Sequence, residues 1–238
     1  MVLPERQSRT AAGQARANMA GPAQLRMPAS SSELVAVNRE HAVSESDPFT
    51  PRRYAQFCAH FPAGGKSVLD VGCNTGRGGR VLKKLDPQLE IVGFDCVPER
   101  VAALDKSVYR DGLCGFATQI AMPDGSVDVV CAGEFIEHVP PASVDTTLAE
   151  FFRVLRPRGR LLLTTPNPNY LKNKLRGLSV LGGAHVSQHF PDCLAFRLRA
   201  TGFSHVRLFG SGRVSLYLGQ MFPWLSVYGS YLARAEKW

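Results

Sequence analysis

The residues best suited to chemistry in this 238-residue chain begin in one stretch, Ser67-Val-Leu-Asp-Val-Gly-Cys-Asn-Thr-Gly-Arg-Gly-Gly79. An apolar run opens there into glycines, and Gly72, Gly76 and Gly78 let a backbone come close to a ligand. Asp95 closes the next apolar run, 23 residues after Gly72. A carboxylate at that point can accept both hydroxyls of a bound ribose. No G-x-x-x-x-G-K-[ST] is present, which excludes a P-loop. The dinucleotide pattern G-x-G-x-x-G fails from Gly76, where Val81 replaces the third glycine, and from Gly72, where Asn74 replaces the second. Asp70, two residues before the first glycine, would repel a pyrophosphate and suits a ligand carrying positive groups.

S-adenosylmethionine fits that description, with an ammonium, a sulfonium and no phosphate. A second cluster, Glu134-Phe-Ile-Glu-His-Val-Pro140, follows the fourth apolar run. His138 lies after a strand's carboxyl end, where ligands of open sheets bind, and is the candidate general base. Residues 167–190 have no clear period and would overhang the pocket as a lid. Asn167, Tyr170, His185 and His189 are the candidate acceptor contacts on that loop.

Asp70-Val-Gly-Cys-Asn-Thr-Gly76 resembles motif I of the class I S-adenosylmethionine-dependent methyltransferases. The resemblance continues in Met122-Pro-Asp-Gly-Ser-Val-Asp128, in the 134–140 stretch and in Gly159-Arg-Leu-Leu-Leu-Thr-Thr-Pro-Asn167, and covers roughly residues 48–170. It implies that Asp70, Gly72 and Gly76 surround the methionine portion and that Asp95 holds the ribose, with Cys73, Asn74 and Cys96 also among the cofactor contacts. Glu134 and Phe135 would lie beside the cofactor. Two departures stand out. Asn74 replaces a usual glycine, and asparagine tolerates positive φ. Phe116 stands where an acid often reads the adenine, leaving Thr118 and Gln119 as candidates for that contact. Glu134, Glu137 and His138 have the types and spacing for a divalent cation, but the carboxylates serve equally as helix caps, and no metal is expected.

The elements that must position these residues alternate. Strands are predicted at 66–71, 90–94, 115–120, 127–132, 160–165, 205–210 and 227–235, and helices at 76–85, 98–106, 141–155 and 192–201. On the 141–155 helix Val144, Leu148, Phe151, Phe152 and Leu155 share one face. The expected fold is α/β, a doubly wound, mostly parallel seven-stranded sheet with an antiparallel edge strand. Residues 1–46 are expected to be a flexible extension, with a short helix or lid over 33–46, and residues 47–238 the methyltransferase domain. No apolar run of signal-peptide length opens the chain, and a transit peptide lacks its amphipathic period. The uncharged segment 214–233 is broken by Gly, Pro, Gln and Ser, and reads as two buried strands and a turn rather than a membrane span.

The net charge of +8 is uneven, at +1 over residues 1–46, −4 over 47–150 and +11 over 151–238. A basic last third suits an anionic or lipid-linked small-molecule acceptor, while the lack of a dense Lys/Arg cluster argues against dedicated nucleic-acid binding. Six cysteines with wide, irregular gaps read as free, mostly buried thiols in a reducing, cytoplasmic compartment. The function expected is methyl transfer from S-adenosylmethionine to a small molecule, most simply a hydroxyl oxygen. The rivals are a non-catalytic adaptor of the same fold and a nicotinamide-dependent oxidoreductase.

Overall fold

The computed structural model describes residues 30–40 and 47–238. One sheet is made of β1 (Ser67–Val71), β2 (Glu90–Asp95), β3 (Tyr109–Cys114), β4 (Val127–Gly133), β5 (Leu155–Pro166), β6 (Ser204–Ser211) and β7 (Ser230–Glu236). Their spatial order is β3-β2-β1-β4-β5-β7-β6. Pairing is parallel from β3 through β5, and β7 runs antiparallel to both β5 and β6. This is the expected doubly wound sheet, with its antiparallel strand one place in from the β6 edge.

The helices are α1 (Ser31–Glu40), α2 (Thr50–Cys58), α3 (Arg77–Leu85), α4 (Pro98–Ala102), α5 (Val144–Val154), α6 (Leu171–Leu175), α7 (Pro191–Thr201) and α8 (Ser215–Leu218). Alternation along the strands builds two apolar layers. On one face Leu69, Val71, Val130, Leu161 and Leu163 pack with Leu148 and Phe151 of α5 and Leu194 and Leu198 of α7. On the other, Val68, Val129, Cys131, Leu162 and Leu232 pack with Phe57 of α2 and Leu82 of α3. Each such fully buried side chain contributes about 1.5–3 kcal/mol. Asp70 falls by alternation on the α2–α3 face beside Val68, so a carboxylate is built into an apolar layer.

Several sequence-based expectations need correction. The third strand is Tyr109–Cys114, not 115–120. It pairs only with β2 at the sheet's edge, so Arg110, Asp111 and Cys114 are exposed and no apolar alternation marks it. Residues 214–233 hold one strand, not two, because the first part forms α8 and a single 3-10 turn at Leu225–Val227. The face expected over 141–155 is kept through Phe151, but Leu155 already opens β5. All six cysteines are free, yet only Cys73 and Cys131 are buried, and Cys114 and Cys193 are exposed. The short helix expected near 33–46 is Ser31–Glu40, and the rest of the expected extension lies outside the described residues. Among the described residues no helix is long and apolar enough to cross a membrane.

From β1 the chain winds outward through β2 and β3, then returns to place β4 on the other side of β1. That reversal opens a crevice outside the carboxyl ends of β1 and β4.

Candidate active site

A cavity of about 710 Å³ fills this crevice. Its floor is the turn after β1. Gly72 has φ +67, and a Cβ there would stand 2.9 Å from the Phe135 ring. Asn74 takes φ +50, the left-handed conformation the sequence suggested it could accept. Gly76, at φ +83, starts α3. The backbone N–H groups of Gly72 and Cys73 both donate to the Phe94 carbonyl, which ties the turn to the end of β2.

Asp95 ends β2 on the cavity wall. Its Oδ2 accepts the Asn74 N–H at 3.0 Å and its Oδ1 the Val97 N–H at 2.9 Å. A carboxylate offers about four lone-pair sites, so both oxygens retain capacity for ligand hydroxyls. Phe94, Cys96, Phe116, Ala117, Thr118, Val139 and Pro140 line the same cavity. Gln119 is exposed and does not line the cavity.

Asp70 also stands apart from the cavity lining. It is wholly buried, with the Tyr54 hydroxyl donating to Oδ1 at 2.5 Å and the Tyr109 hydroxyl to Oδ2 at 2.7 Å. Burial pushes its carboxyl up to about 6, against the opposing pull of the two phenols. Gly78 and Gly79 make room for those rings. A Cβ would meet the Tyr54 ring at 2.0 Å from Gly78 and the Tyr109 ring at 2.3 Å from Gly79. Of the two partners of Asp70, Tyr54 lines the cavity. The direct ligand contact expected of Asp70 from the motif is not what this geometry provides.

After β4, Glu134 sits at φ +51 with its N–H donating to Thr164. Arg53 of α2 stands 3.7 Å from Glu134 Oε1 and 3.2 Å from Asp47. Burial alone would lower the Arg53 guanidinium, but Glu134 and Asp47 outweigh it and hold its pKa above the ordinary value. Glu137 is buried, and Thr165 Oγ1 donates to its Oε2 at 3.1 Å. Its Oε1 has no hydrogen-bond partner among the described residues. Burial first, then Glu134, pushes the Glu137 carboxyl well up.

His138 and His185 both line the cavity, their rings edge to face at 5.0 Å. His138 Nδ1 lies 3.0 Å from the Ala184 carbonyl. A carbonyl only accepts, so Nδ1 carries a proton, and in the neutral form of the ring Nε2 is the basic nitrogen. Glu137, His138 and His185 place one ligand atom each within 4.8 Å of one another, and among the described residues this is the group that could hold a cation. Glu134 is not part of it.

Three of the expected acceptor contacts are not among the residues lining the cavity. Asn167 is buried with Nδ2 donating to the Leu225 and Tyr228 carbonyls, so it ties two loops together. His189 is buried with Nε2 at 2.9 Å from Ser187 Oγ, and burial lowers its imidazole to about 4. Tyr170 lies in a separate groove. Polar residues after a strand look alike in sequence whether they face a ligand or bond to backbone. Sequence reasoning also missed Arg53, Tyr54 and Thr147, and Leu34 and Asn38 of α1, all on the cavity wall. The Tyr54/Phe57 spacing signals only a helix face.

Residues 69–163 match the family described as a methyltransferase domain. The chain is 33% identical over 194 residues to a demethylmenaquinone methyltransferase of Deinococcus radiodurans, covering 69% of this chain and 78% of that one. It is 31% identical over 142 residues to a malonyl-[acyl-carrier protein] O-methyltransferase of Laribacter hongkongensis, covering 54% of this chain and 46% of that relative's length. In fold it resembles a SAM-dependent methyltransferase of Archaeoglobus fulgidus, with a TM-score of 0.62 at 20% identity over 79% of this chain and 92% of that one.

Proposed function

Because the chain belongs to the class I S-adenosylmethionine-dependent methyltransferases, we propose that it transfers a methyl group from S-adenosylmethionine to a hydroxyl oxygen of a small molecule. The observation that carries this reading is that Asp95 and His138 line one and the same cavity. The residues present fit the cofactor in size and chemistry. The cavity is large enough for a nucleoside with an amino-acid arm, Asp95 has acceptor capacity for ribose hydroxyls, and Phe94 and Phe116 give the lining aromatic surface for a flat ring.

S-adenosylmethionine supplies a methyl group on a sulfonium, already activated toward displacement. The protein's part is to align the acceptor and exclude water. Gly72 lets the backbone approach the methionine arm, and Arg53 offers positive charge to its carboxylate. His138 takes the acceptor's proton at Nε2, while the Ala184 carbonyl steadies the proton on Nδ1. The basic last third favours an anionic or lipid-linked acceptor, and the free thiols favour a cytoplasmic setting.

A second reading replaces the base with a divalent cation on Glu137, His138 and His185. Calorimetric titration with S-adenosylhomocysteine, with NADH in parallel, tests the cofactor. A screen of phenols and other hydroxyl acceptors, run with Mg²⁺ and with EDTA, tests the chemistry. Binding of NADH alone would overturn the proposal. Cofactor binding without turnover on any acceptor would favour the adaptor, and loss of turnover in EDTA would favour the cation.

A further inference from the structure

Two loops leave the carboxyl edge of the sheet at its β5–β7–β6 end. One follows β5, and the other joins the end of β6 to the start of β7. They are fastened together by Asn167, whose side chain donates to Leu225 and Tyr228 and whose N–H donates to Gly229. Between them runs an apolar groove walled by Tyr170, Leu171, Leu175 and Val227.

This face carries large apolar side chains that nothing among the described residues covers. Leu175 is 78% exposed, Tyr217 76%, and Met221 and Trp224 68% each, with Leu171 and Leu178 also more than half exposed. The two segments that form it are also basic. Residues 167–190 and 211–229 contain Lys172, Lys174, Arg176 and Arg213 and no Asp or Glu. Leucines with tryptophan and tyrosine, flanked by cations, make the composition of a surface that sits in the headgroup region of a bilayer.

We propose that the face formed by residues 167–178 and 213–227 docks on an anionic membrane surface. Charge decides between this occupant and a second copy of the chain. A symmetric contact would bring two copies of the same patch of Lys172, Lys174, Arg176 and Arg213 together, whereas anionic lipid complements all four. The segment that carries the exposed leucines also carries His185, which lines the cavity. Given the methyltransferase reading, docking here would bring the site beside a lipid-borne acceptor.

The test is flotation of the full chain with phosphatidylcholine vesicles, with and without phosphatidylglycerol. The chain should float with the anionic vesicles and not with the neutral ones. Leu175→Ser/Trp224→Ser should lower the bound fraction by about tenfold or more. Lys172→Glu/Lys174→Glu should lower it too. Both variants should keep the affinity for S-adenosylhomocysteine, which shows that they fold and separates this proposal from the cofactor reading. In Trp238→Phe, Trp224 is the remaining tryptophan, and its emission should shift to the blue on anionic vesicles alone. Failure to float with either vesicle would overturn the proposal, as would equal flotation of the Leu175→Ser/Trp224→Ser variant. Concentration-dependent dimerisation abolished by that variant would overturn it in favour of self-association.

Discussion

Asp70 carries its charge beneath the glycine turn, where two phenol hydroxyls replace water. Its folded pKa of about 6 lies above the ordinary carboxylate value, so the folded state holds that proton more tightly than the unfolded chain. The stabilisation is complete below about pH 3.8 and is lost as pH rises through 6. His189 runs the other way. Its folded pKa of about 4 lies below 6.5, so stability present above pH 6.5 is lost as pH falls toward 4. Urea midpoints across this range should therefore lose one limb in Asp70→Ala and the other in His189→Gln. Asp95→Ala should weaken S-adenosylhomocysteine binding by about 10–100-fold, the worth of charge-assisted bonds to ribose. Calorimetry checks it, and unchanged affinity would remove Asp95 from the site. His138→Ala should lower turnover by about 10²–10⁴-fold with the same cofactor affinity. At this scale the sequence was legible where the cause was local. Asn74 at positive φ and Asp95 at a strand end follow from turn and strand chemistry alone. The partners of Asp70 come from Tyr54 and Tyr109, 16 and 39 residues away, and no motif announces them.

Among the elements, α2, α3 and β1 work as one device. The Tyr54 ring rests on Gly78, so Gly78→Ala must displace it. That variant should lose about 1–3 kcal/mol of stability and bind S-adenosylhomocysteine more weakly, since Tyr54 is also cavity wall. Denaturant unfolding and calorimetry read the two effects separately. The buried parallel strands could be read from their continuous apolar runs, and the buried face of α5 from its period. β3 could not, because an edge strand with one neighbour need not alternate. The stretch over 214–233 misled because its apolar residues are largely surface residues, and composition carries no sign of which side of the molecule they face.

For the molecule as a whole, α1 is tied to α4 and borders the cavity. Leu34 and Asn38 line it, Arg100 donates to the Asn38 carbonyl at 2.6 Å, and Arg39 pairs with Glu99. Leu34→Asp should speed release of S-adenosylhomocysteine in stopped flow while leaving the melting temperature nearly unchanged, because α1 has no fully buried residue. The order of the sheet also bears on how the protein is made. β6 is complete at residue 211, but its one neighbour in the sheet is β7, and β7 begins at residue 230. During translation the β3-β2-β1-β4-β5 half can close while β6 still has no strand beside it. A ribosome that pauses between those two points holds out a bare strand edge, the kind of surface that pairs with other nascent chains.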